Sequence, residues 1–550
     1  MKVKSPLLML LIMIAISGSS FAQNQVPVFT RQDTLRGSVT PERKWWDLLY
    51  YHLDITVNSA DSTIRGSNTV LYRVLDQYGV MQIDLQQPMN ITRIRQENIE
   101  LSFKREGSVY WIDMPDKQEK GKTYSIVISY EGRPRVSKRP PWTGGITWNR
   151  DSKDMPFIAT ANQGDGASLW WPCKDHMYDE PDSMLISVTV PGKLMDVSNG
   201  RLRSVVKNKD KTKTYNWFVS NPINNYVVNI NIADYAHFSE VFNGEAGPLD
   251  CDYYVLRENL EKAKEQFKQV PMMLKAFEHW FGKYPFYEDG YKLVEAPYLG
   301  MEHQSSITYG NGFKNGYRGT DLSVSGWGLK FDFIIIHESG HEWFANSITY
   351  RDVADMWVHE SFTNYSECLY VEYYYGKEAG QDYVIGCRGN IRNDRPVIGI
   401  YDVNYEGSGD MYYKGGNMLH TLRQIVNNDE KWRGILRGMN SEFYHQVVTG
   451  EQIEKYLSEK TGINLQRFFD QYLRDVRIPV FEYYVKGEEL IFRWNNCVRG
   501  FDMPLKIYVS GKPLNVNPKT MFTTIKLDGA NATVRVDPGY YVGVLNMTGE

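Results

Sequence analysis

The sequence has few cysteines, no excess of basic residues and no long apolar run beyond its first residues. Its 550 residues contain 5 cysteines, none in a CxxC pair, which excludes a cysteine-based zinc or redox motif. The 62 basic and 66 acidic residues leave a net charge of -4, so we expect no nucleic-acid partner. No internal repeat or low-complexity tract is present. What remains is a chain long enough for several ordinary globular domains.

The first 22 residues are typical of a secretory signal peptide. Two lysines precede an apolar run over residues 7–16, and residues 20–22 (SFA) fit the small-x-small pattern of a cleavage site. The run is shorter than the roughly 20 residues that a membrane span needs. We therefore expect a chain that is exported, cleaved before Gln23 and either periplasmic or secreted, with no membrane span in the mature protein. An uncleaved membrane anchor is the alternative.

Hydrophobic patterning predicts a multidomain α+β protein in three parts. Short alternating runs separated by turn residues indicate an N-terminal all-β domain over 23–245, which begins with a loose leader over 23–45. Helical spacing then predominates and predicts a mostly helical domain over 246–477. Alternation returns after Pro479 and predicts a small C-terminal β-sandwich over 478–550. The predicted helical stretches are 256–281, 329–348, 360–376, 413–428 and 451–473.

Residues 337–341 read HESGH and carry the main chemical signal. On a helix the two histidines lie one turn apart on one face, so both imidazoles can bind one metal ion at about 2.0–2.1 Å. Glu338 lies about 100° around the same helix, beside the metal, where it can take a proton from a water molecule. His337 and His341 are therefore candidate ligands, and Glu338 is a candidate general base. The alternative is that this short pattern arose by chance.

A third ligand is available in Glu360, which lies at the start of the next helical stretch. Two histidines and one carboxylate leave a fourth position open, which is the arrangement of a catalytic zinc, whereas a structural zinc is closed by four protein ligands. Mixed imidazole and carboxylate ligands favour Zn²⁺, although cobalt or manganese could substitute. We expect one Zn²⁺ ion per chain, held by His337, His341 and Glu360.

These motifs resemble those of the gluzincin family of zinc aminopeptidases, the aminopeptidase N type, which also includes leukotriene hydrolase. The spacing HExxH-x18-E is the same, residues 341–349 (HEWFANSIT) resemble the family's HQWFGNxVT, and residues 357–362 (WVHESF) resemble its WLNEGF. The similarity covers about residues 45–475. It implies a thermolysin-like zinc catalytic domain over 246–477, in which Glu338 activates the water that attacks a peptide bond.

Another motif resembles the exopeptidase signature GAMEN, which reads LGMEH over residues 299–303. In the family its glutamate binds the free α-amino group of the substrate, and the strand around it pairs with the substrate backbone. The resemblance therefore implies that Glu302 binds the amine, with Gly300 and Met301 as backbone contacts. Leu299, Gly300 and His303 depart from the family's residues. His303 is either a simple hydrogen-bonding replacement or a residue that tunes the site.

Two further motifs resemble family elements. Tyr412 opens the sequence YYKG, which resembles YxKG, whose first tyrosine donates a hydrogen bond to the tetrahedral oxyanion. Gln163 closes the sequence TANQ, which together with residues 171–175 (WPCKD) resembles a TQxE/Q…PCxD segment. This implies that Gln163 is a second contact for the substrate amine. Ala161 stands where the family has its first glutamine.

The expected function is that of a zinc aminopeptidase, which removes N-terminal amino acids from peptides with a free N-terminus. Two alternatives remain open: a zinc endopeptidase or epoxide hydrolase on the same site, and an inactive exported binding protein. Larger family members continue into a helical domain that caps the cavity, whereas we expect a β-type segment here. The sequence leaves the preferred first residue and the oligomeric state open.

Overall fold

The computed structural model describes residues 27–115, 118–530 and 532–547. The predicted signal peptide over residues 1–22 lies outside these residues. Within them, no helix is both long enough and apolar enough to cross a membrane. All five cysteines are among the described residues, and each has a free thiol.

Three β-sheets around one hydrophobic core form the N-terminal part. Two short helices precede them, α1 (Arg31–Gly37) and α2 (Pro41–Lys44). The strands are β1 (Trp46–Asn58), β2 (Thr63–Val74), β3 (Val80–Asp84), β4 (Asn90–Gln96), β5 (Ile99–Glu100), β6 (Phe103–Glu106), β7 (Val109–Asp113), β8 (Thr123–Gly132), β9 (Gly145–Arg150), β10 (Pro156–Ala161), β11 (Ser183–Pro191), β12 (Met195–Ser198), β13 (Arg201–Lys207), β14 (Thr212–Val219) and β15 (Ile230–Ala233). The sheets have the orders β13-β14-β11-β1-β2-β8-β4-β5, β12-β15-β10-β9 and β3-β7-β6. Alternate side chains of β1, among them Leu53, Ile55 and Val57, are buried, as the period of a strand requires.

A five-stranded sheet and a set of helices form the middle part. The strands are β16 (Tyr235–Gly244), β17 (Gly247–Leu256), β18 (Tyr291–Glu295), β19 (Gly300–Met301) and β20 (Ile307–Tyr309), in the order β16-β17-β18-β20-β19. The helices are α3 (Leu260–Gln266), α4 (Gln269–Phe281), α5 (Phe333–Gly340), α6 (Trp357–Tyr375), α7 (Lys377–Gly386), α8 (Tyr413–Val426), α9 (Asp429–Glu442), α10 (Gly450–Thr461) and α11 (Gln466–Leu473). Strands β21 (Ile348–Tyr350) and β22 (Gln446–Val448) form a separate parallel pair. Helices α4, α5 and α6 contact one another and bury the apolar residues that precede the first histidine of the motif.

Two small sheets form the C-terminal part. The strands are β23 (Val480–Lys486), β24 (Glu489–Asn495), β25 (Leu505–Val509), β26 (Lys512–Val516), β27 (Thr523–Lys526), β28 (Val534–Val536) and β29 (Gly543–Asn546). Their orders are β27-β24-β23-β29 and β26-β25-β28. Buried side chains of these strands, such as Phe481, Trp494 and Ile507, belong to the same core as the helices. The predicted fold class, with β-structure at both ends and helices between, is confirmed.

The boundary predicted between residues 245 and 246 falls in the turn of a hairpin. Strands β16 and β17 pair with each other, and β17 pairs in parallel with β18. The five-stranded sheet of the middle part therefore begins at Tyr235. Strands β18, β19 and β20 are short and buried on both faces. They carry no alternation that sequence patterning could detect.

Helix boundaries also differ from the prediction. The stretch 329–348 contains only one α-helix, α5, which begins after its N-cap Asp332 and ends at Gly340. The stretch 451–473 is two helices, α10 and α11, because Gly462 takes a left-handed conformation (φ 76°) that ends the first of them. These breaks follow from local capping, which apolar periodicity does not report.

Within the segment expected to be a loose leader, residues 31–37 and 41–44 form α1 and α2. Arg43 in α2 is buried, and its guanidinium lies 2.7 Å from Oδ2 of Asp84. It also donates hydrogen bonds to the backbone carbonyls of Arg36 and Ser38. Patterning missed this segment because its helices are short and an ion pair, in place of an apolar stripe, holds it.

Arg43→Met is expected to destabilise the N-terminal part, because it leaves the buried carboxylate of Asp84 without its partner. Removal of one member of a buried ion pair typically costs about 3–5 kcal/mol. The midpoint of urea unfolding, followed by tryptophan fluorescence, should therefore fall. Arg31→Met, which breaks the exposed pair of α1 with Glu106, is the control and should leave the midpoint unchanged. Equal midpoints for the two variants would contradict this interpretation.

Candidate metal centre and active site

Contacts between α5 and α6 bring the three candidate metal ligands to one point. His337 lies in the last turn of α5, His341 directly follows α5, and Glu360 lies in the first turn of α6. Their ligand atoms lie within 4.8 Å of one another, and all three side chains are buried. Oε2 of Glu360 is 3.7 Å from Nε2 of His337 and 3.4 Å from Nε2 of His341.

This donor set fits a zinc ion. Oε2 of Glu360 is buried and has no hydrogen-bond partner among the described residues. Two imidazole nitrogens face it at distances that suit ligands sharing one ion at about 2 Å each. Burial opposes the ionisation of Glu360, but the neighbouring imidazoles of His341 and His337 outweigh it and hold its pKa below its usual range. The site therefore offers one carboxylate and two imidazole ligands and leaves a position open.

Hydrogen bonds behind the two histidines orient them. Nδ1 of His337 lies 2.7 Å from Oε1 of Glu367, and Oε2 of Glu367 accepts a hydrogen bond from the hydroxyl of Tyr383. Nδ1 of His341 lies 3.0 Å from the carbonyl oxygen of Phe344. A histidine whose Nδ1 donates in this way presents the lone pair of Nε2 to a metal.

Sequence reasoning does not identify Glu367. It lies two helical turns after Glu360 on the same face of α6, so one helix supplies both a ligand and the partner of another ligand. The i, i+7 spacing of two carboxylates is the signal that could have found it.

Glu338 lies between the histidines in sequence but outside the ligand set. Its carboxylate belongs to a second group of close side chains, with Glu302 and His341, whose oxygen and nitrogen atoms lie within 4.8 Å of one another. Burial raises the pKa of Glu338 above its ordinary value. A buried carboxylate in this position is suited to accept a proton and to return it.

Glu302 directly follows β19 and is fixed by three hydrogen bonds. Its Oε1 accepts from Nε2 of Gln163 at 2.7 Å and from the hydroxyl of Tyr226 at 3.2 Å. Its backbone oxygen accepts from Nδ2 of Asn346 at 3.0 Å. Nε2 of Gln163 also donates to Oε1 of Glu360 at 3.1 Å. One amide group therefore joins the candidate amine site to the candidate metal site.

Burial raises the pKa of Glu302 to about 7. This carboxyl is ready to ionise when a positive group enters beside it.

Tyr226 is a contact that sequence reasoning does not identify. It lies in a short turn of the β domain and belongs to no motif, so only the fold brings its hydroxyl to Glu302.

The backbone at Gly300 lies directly against α5. A Cβ atom at this position would lie 2.7 Å from Cγ2 of Ile334 and 3.1 Å from Oε1 of Glu338. Glycine therefore allows this close approach without a shift of those side chains. Gly300 and Met301 form β19, the edge strand of the five-stranded sheet. An extended peptide can pair with the backbone groups of such an edge.

Tyr412 precedes α8 and faces the metal ligands. Its ring centroid lies 6.0 Å from that of His337, and the two ring planes are inclined by 26°. Burial, and then the charge of Glu360, raises the pKa of the Tyr412 hydroxyl well above its ordinary value. The phenol therefore stays protonated and can donate a hydrogen bond.

The residues predicted to form the site all line one cavity of about 410 Å³. They are Gln163, Gly300, Met301, Glu302, His337, Glu338, His341, Glu360 and Tyr412. The other lining residues are largely apolar or aromatic, among them Trp142, Tyr317 and Phe333, and sequence reasoning does not identify them. Among the described residues that line the cavity there are three carboxylates and no lysine or arginine. The cavity therefore favours cations, such as a metal ion and an ammonium group.

His303 lies behind Glu302 and does not line the cavity. It is completely buried, and burial lowers its pKa to about 3. Its Nδ1 lies 3.5 Å from Oγ1 of Thr308. His303 is therefore neutral and adds no charge to the site.

Comparison with known sequences agrees with this geometry. Residues 266–472 match the Peptidase family M1 domain. Aminopeptidase N of Lactococcus lactis subsp. lactis is 21% identical over 467 residues, which cover 80% of this chain and 52% of that protein. Leukotriene A-4 hydrolase of Xenopus laevis is 22% identical over 446 residues, which cover 76% of this chain and 68% of that protein. The chain spans about half the length of curated relatives such as aminopeptidase N.

Solved structures share the fold. An M1 zinc metallopeptidase variant from Deinococcus radiodurans, bound to a Tyr-Ser-Ala substrate, has a TM-score of 0.65 at 18% identity and covers 80% of this chain and 96% of that chain. A two-domain M1 zinc metallopeptidase variant bound to L-tryptophan has a TM-score of 0.63 at 18% identity, and the match covers 77% of this chain and 92% of that chain. At this level of identity the similarity establishes the fold alone.

The zinc content of variants tests the ligand set. The purified chain should carry one zinc ion, and His337→Ala and Glu360→Ala should each lose it, because two ligands hold zinc far less tightly than three. Glu338→Gln is the matched control and should keep its zinc, since its carboxylate lies outside the ligand set. Plasma emission spectroscopy after dialysis measures all four proteins. Full zinc content in His337→Ala would rule out this centre.

Proposed function

We propose that this chain, whose residues 266–472 form a peptidase family M1 domain, is a zinc aminopeptidase that removes N-terminal amino acids from peptides. The observation that carries the proposal is the position of Gln163. Its amide nitrogen hydrogen-bonds both Glu302, at the candidate amine site, and Glu360, at the candidate metal site. Two sites this close fit a free amino group and the carbonyl that follows it.

The distance between the two sites selects the first peptide bond. In a peptide, the α-amino nitrogen and the first carbonyl carbon are separated by a single Cα atom. An ammonium group held by Glu302 and Gln163 therefore brings the first carbonyl, and no later one, to the metal ligands. The edge of β19 can pair with the peptide backbone and keep it extended.

The three metal ligands, Glu338 and Tyr412 carry the chemistry. When bound by His337, His341 and Glu360, zinc supplies a Lewis acid that polarises a carbonyl and lowers the pKa of water. Glu338 takes the proton from the attacking water and passes it to the leaving amine. The hydroxyl of Tyr412 donates a hydrogen bond to the oxygen on which negative charge develops, which stabilises the transition state.

The alternatives fit the cavity less well. An endopeptidase binds the interior of a peptide, which brings no positive charge to the carboxylates of Glu302, Glu338 and Glu360. An epoxide hydrolase could use the same metal site, and one relative is named leukotriene A-4 hydrolase, but no feature of this cavity favours that reaction over peptide hydrolysis. An inactive binding protein would have no need of a general base beside the metal ligands.

Paired substrates test the proposal. Aminoacyl anilides with a free amine should be cleaved, and their N-acetylated forms should not, because acetylation removes the charge that Glu302 and Gln163 bind. A chelator should abolish cleavage, and added zinc should restore it. Glu338→Gln, which keeps the ligand set, should lose nearly all turnover. Cleavage of the acetylated anilides would replace this proposal with the endopeptidase alternative.

Export is also part of the proposal. A basic, apolar and small-residue pattern over residues 1–22 supports cleavage before Gln23 and a location in the periplasm or outside the cell. N-terminal sequencing of the protein expressed with its leader should begin at Gln23, and the protein should be recovered outside the cytoplasm. An intact N-terminus on a membrane-bound protein would favour an uncleaved anchor.

A further inference from the structure

An N-terminal arm, residues 29–44, packs on the middle part, which carries the candidate metal ligands, as well as on the N-terminal β domain. The ring of Phe29 lies 5.6 Å from the ring of Tyr405. A Cβ atom on Gly37 would overlap the backbone nitrogen of Asn404, so the two backbones are in direct contact. The arm therefore connects the two parts of the molecule beside the active site.

The loop that carries Gln163 lies next to this arm. This amine loop, residues 162–166, is a tight turn in which the N–H of Gly166 donates to the carbonyl of Asn162 at 2.7 Å. Gly164 has a φ of 72°, a left-handed conformation that favours glycine. No strand or helix contains Gln163. The direction of its side chain therefore depends on what holds the turn.

Two donors hold the amine loop at the carbonyl of Gly164, in addition to the contacts that Gln86, Gly144 and Arg135 make with Asp165. The oxygen of Gly164 accepts a hydrogen bond from Nη2 of Arg36 at 3.3 Å and one from Nδ2 of Asn404 at 3.1 Å. Arg36 belongs to the arm, and Asn404 belongs to the middle part. Nη1 of Arg36 also lies 3.3 Å from Oδ2 of Asp175, and the Arg36 side chain is only 25% exposed. The peptide unit next to Gln163 is thus fixed from two sides.

The arm itself is held by a buried ion pair. Nη1 of Arg43 donates to the carbonyls of Arg36 and Ser38, at 3.1 and 2.8 Å, while Nη2 of Arg43 lies 2.7 Å from Oδ2 of Asp84. A continuous series of contacts therefore runs from the core of the β domain, through the arm, to the amine loop.

We propose that Arg36 and Asn404 are positioning residues for the substrate amine. They hold the amine loop so that the side chain of Gln163 reaches Glu302 and Glu360. Neither of them lines the cavity, so both act through Gln163. This inference rests on the proposed function, because it assumes that Gln163 binds the amino group of a peptide.

Loss of a positioning residue should weaken substrate binding more than it slows the chemistry. Arg36→Ala leaves the metal ligands, Glu338 and Tyr412 in place, so kcat should change less than about twofold. A charge-assisted hydrogen bond is lost, and KM for a free-amine anilide should rise about tenfold. Asn404→Ala should change KM in the same direction.

Two matched variants separate positioning from general stability. Arg36→Lys keeps a cationic donor and should recover part of the affinity. Arg31→Ala breaks an exposed ion pair on the same helix and should leave KM unchanged. Zinc content should be the same in every variant. An equal rise of KM in Arg36→Ala and Arg31→Ala would overturn the inference.

A double-mutant cycle tests whether Arg36 acts through Gln163. Gln163→Ala alone should raise KM, and adding Arg36→Ala should raise it no further, because the group that Arg36 positions is already absent. Additive effects of the two substitutions would overturn the inference.

Hydrogen exchange separates this inference from the proposed function, because it needs no activity. The N–H groups of Asp165 and Gly166 are bonded inside the amine loop and should exchange faster in Arg36→Ala than in the parent or in Arg31→Ala. Unchanged exchange would overturn the inference whatever the enzyme does. If these N–H groups exchange faster in Arg36→Ala but the parent chain cleaves no free-amine substrate, the role of Arg36 in holding the loop is supported and the proposed function is contradicted.

Discussion

The site depends on the compensation of negative charge that the fold has buried. Three carboxylates, from Glu302, Glu338 and Glu360, line one cavity, and an unpaired carboxylate in such a place costs several kcal/mol. The protein supplies part of the compensation through the amide of Gln163, which donates to Glu302 and Glu360. The remaining negative charge can be compensated only by cations that bind from solution. This deficit of positive charge suits a divalent metal and, in the proposed function, the ammonium group of a peptide.

The compensating groups come from parts of the chain that are far apart in sequence. Gln163 comes from the β domain, Glu302 follows the edge strand of a sheet, and the metal ligands lie on two helices. Neither part of the molecule contains a complete site. The contacts between the parts, including those of the N-terminal arm, are therefore as important to the cavity as the residues that line it.

Local periodicity was enough to predict part of this arrangement. The turn of a helix places His337 and His341 together, and the pattern of apolar residues separates the β-rich ends from the helical middle. The roles of Glu302, Gln163 and Tyr412 came from resemblance, because no spacing rule connects residues on separate loops. The contacts of Tyr226 and Trp142 depend on how the parts approach each other, which no local pattern encodes. The short strands β18–β20 escaped prediction because a strand buried on both faces has no alternation.

Helix α6 has a consequence for how the centre comes apart. It carries Glu360 and, two turns later, Glu367, which holds His337 from behind. Because both carboxylates belong to one helix, a displacement of α6 against α5 would move one ligand and the hydrogen-bonding partner of a second ligand together. The geometry of the metal ligands is thereby coupled to the packing of α6 against α5.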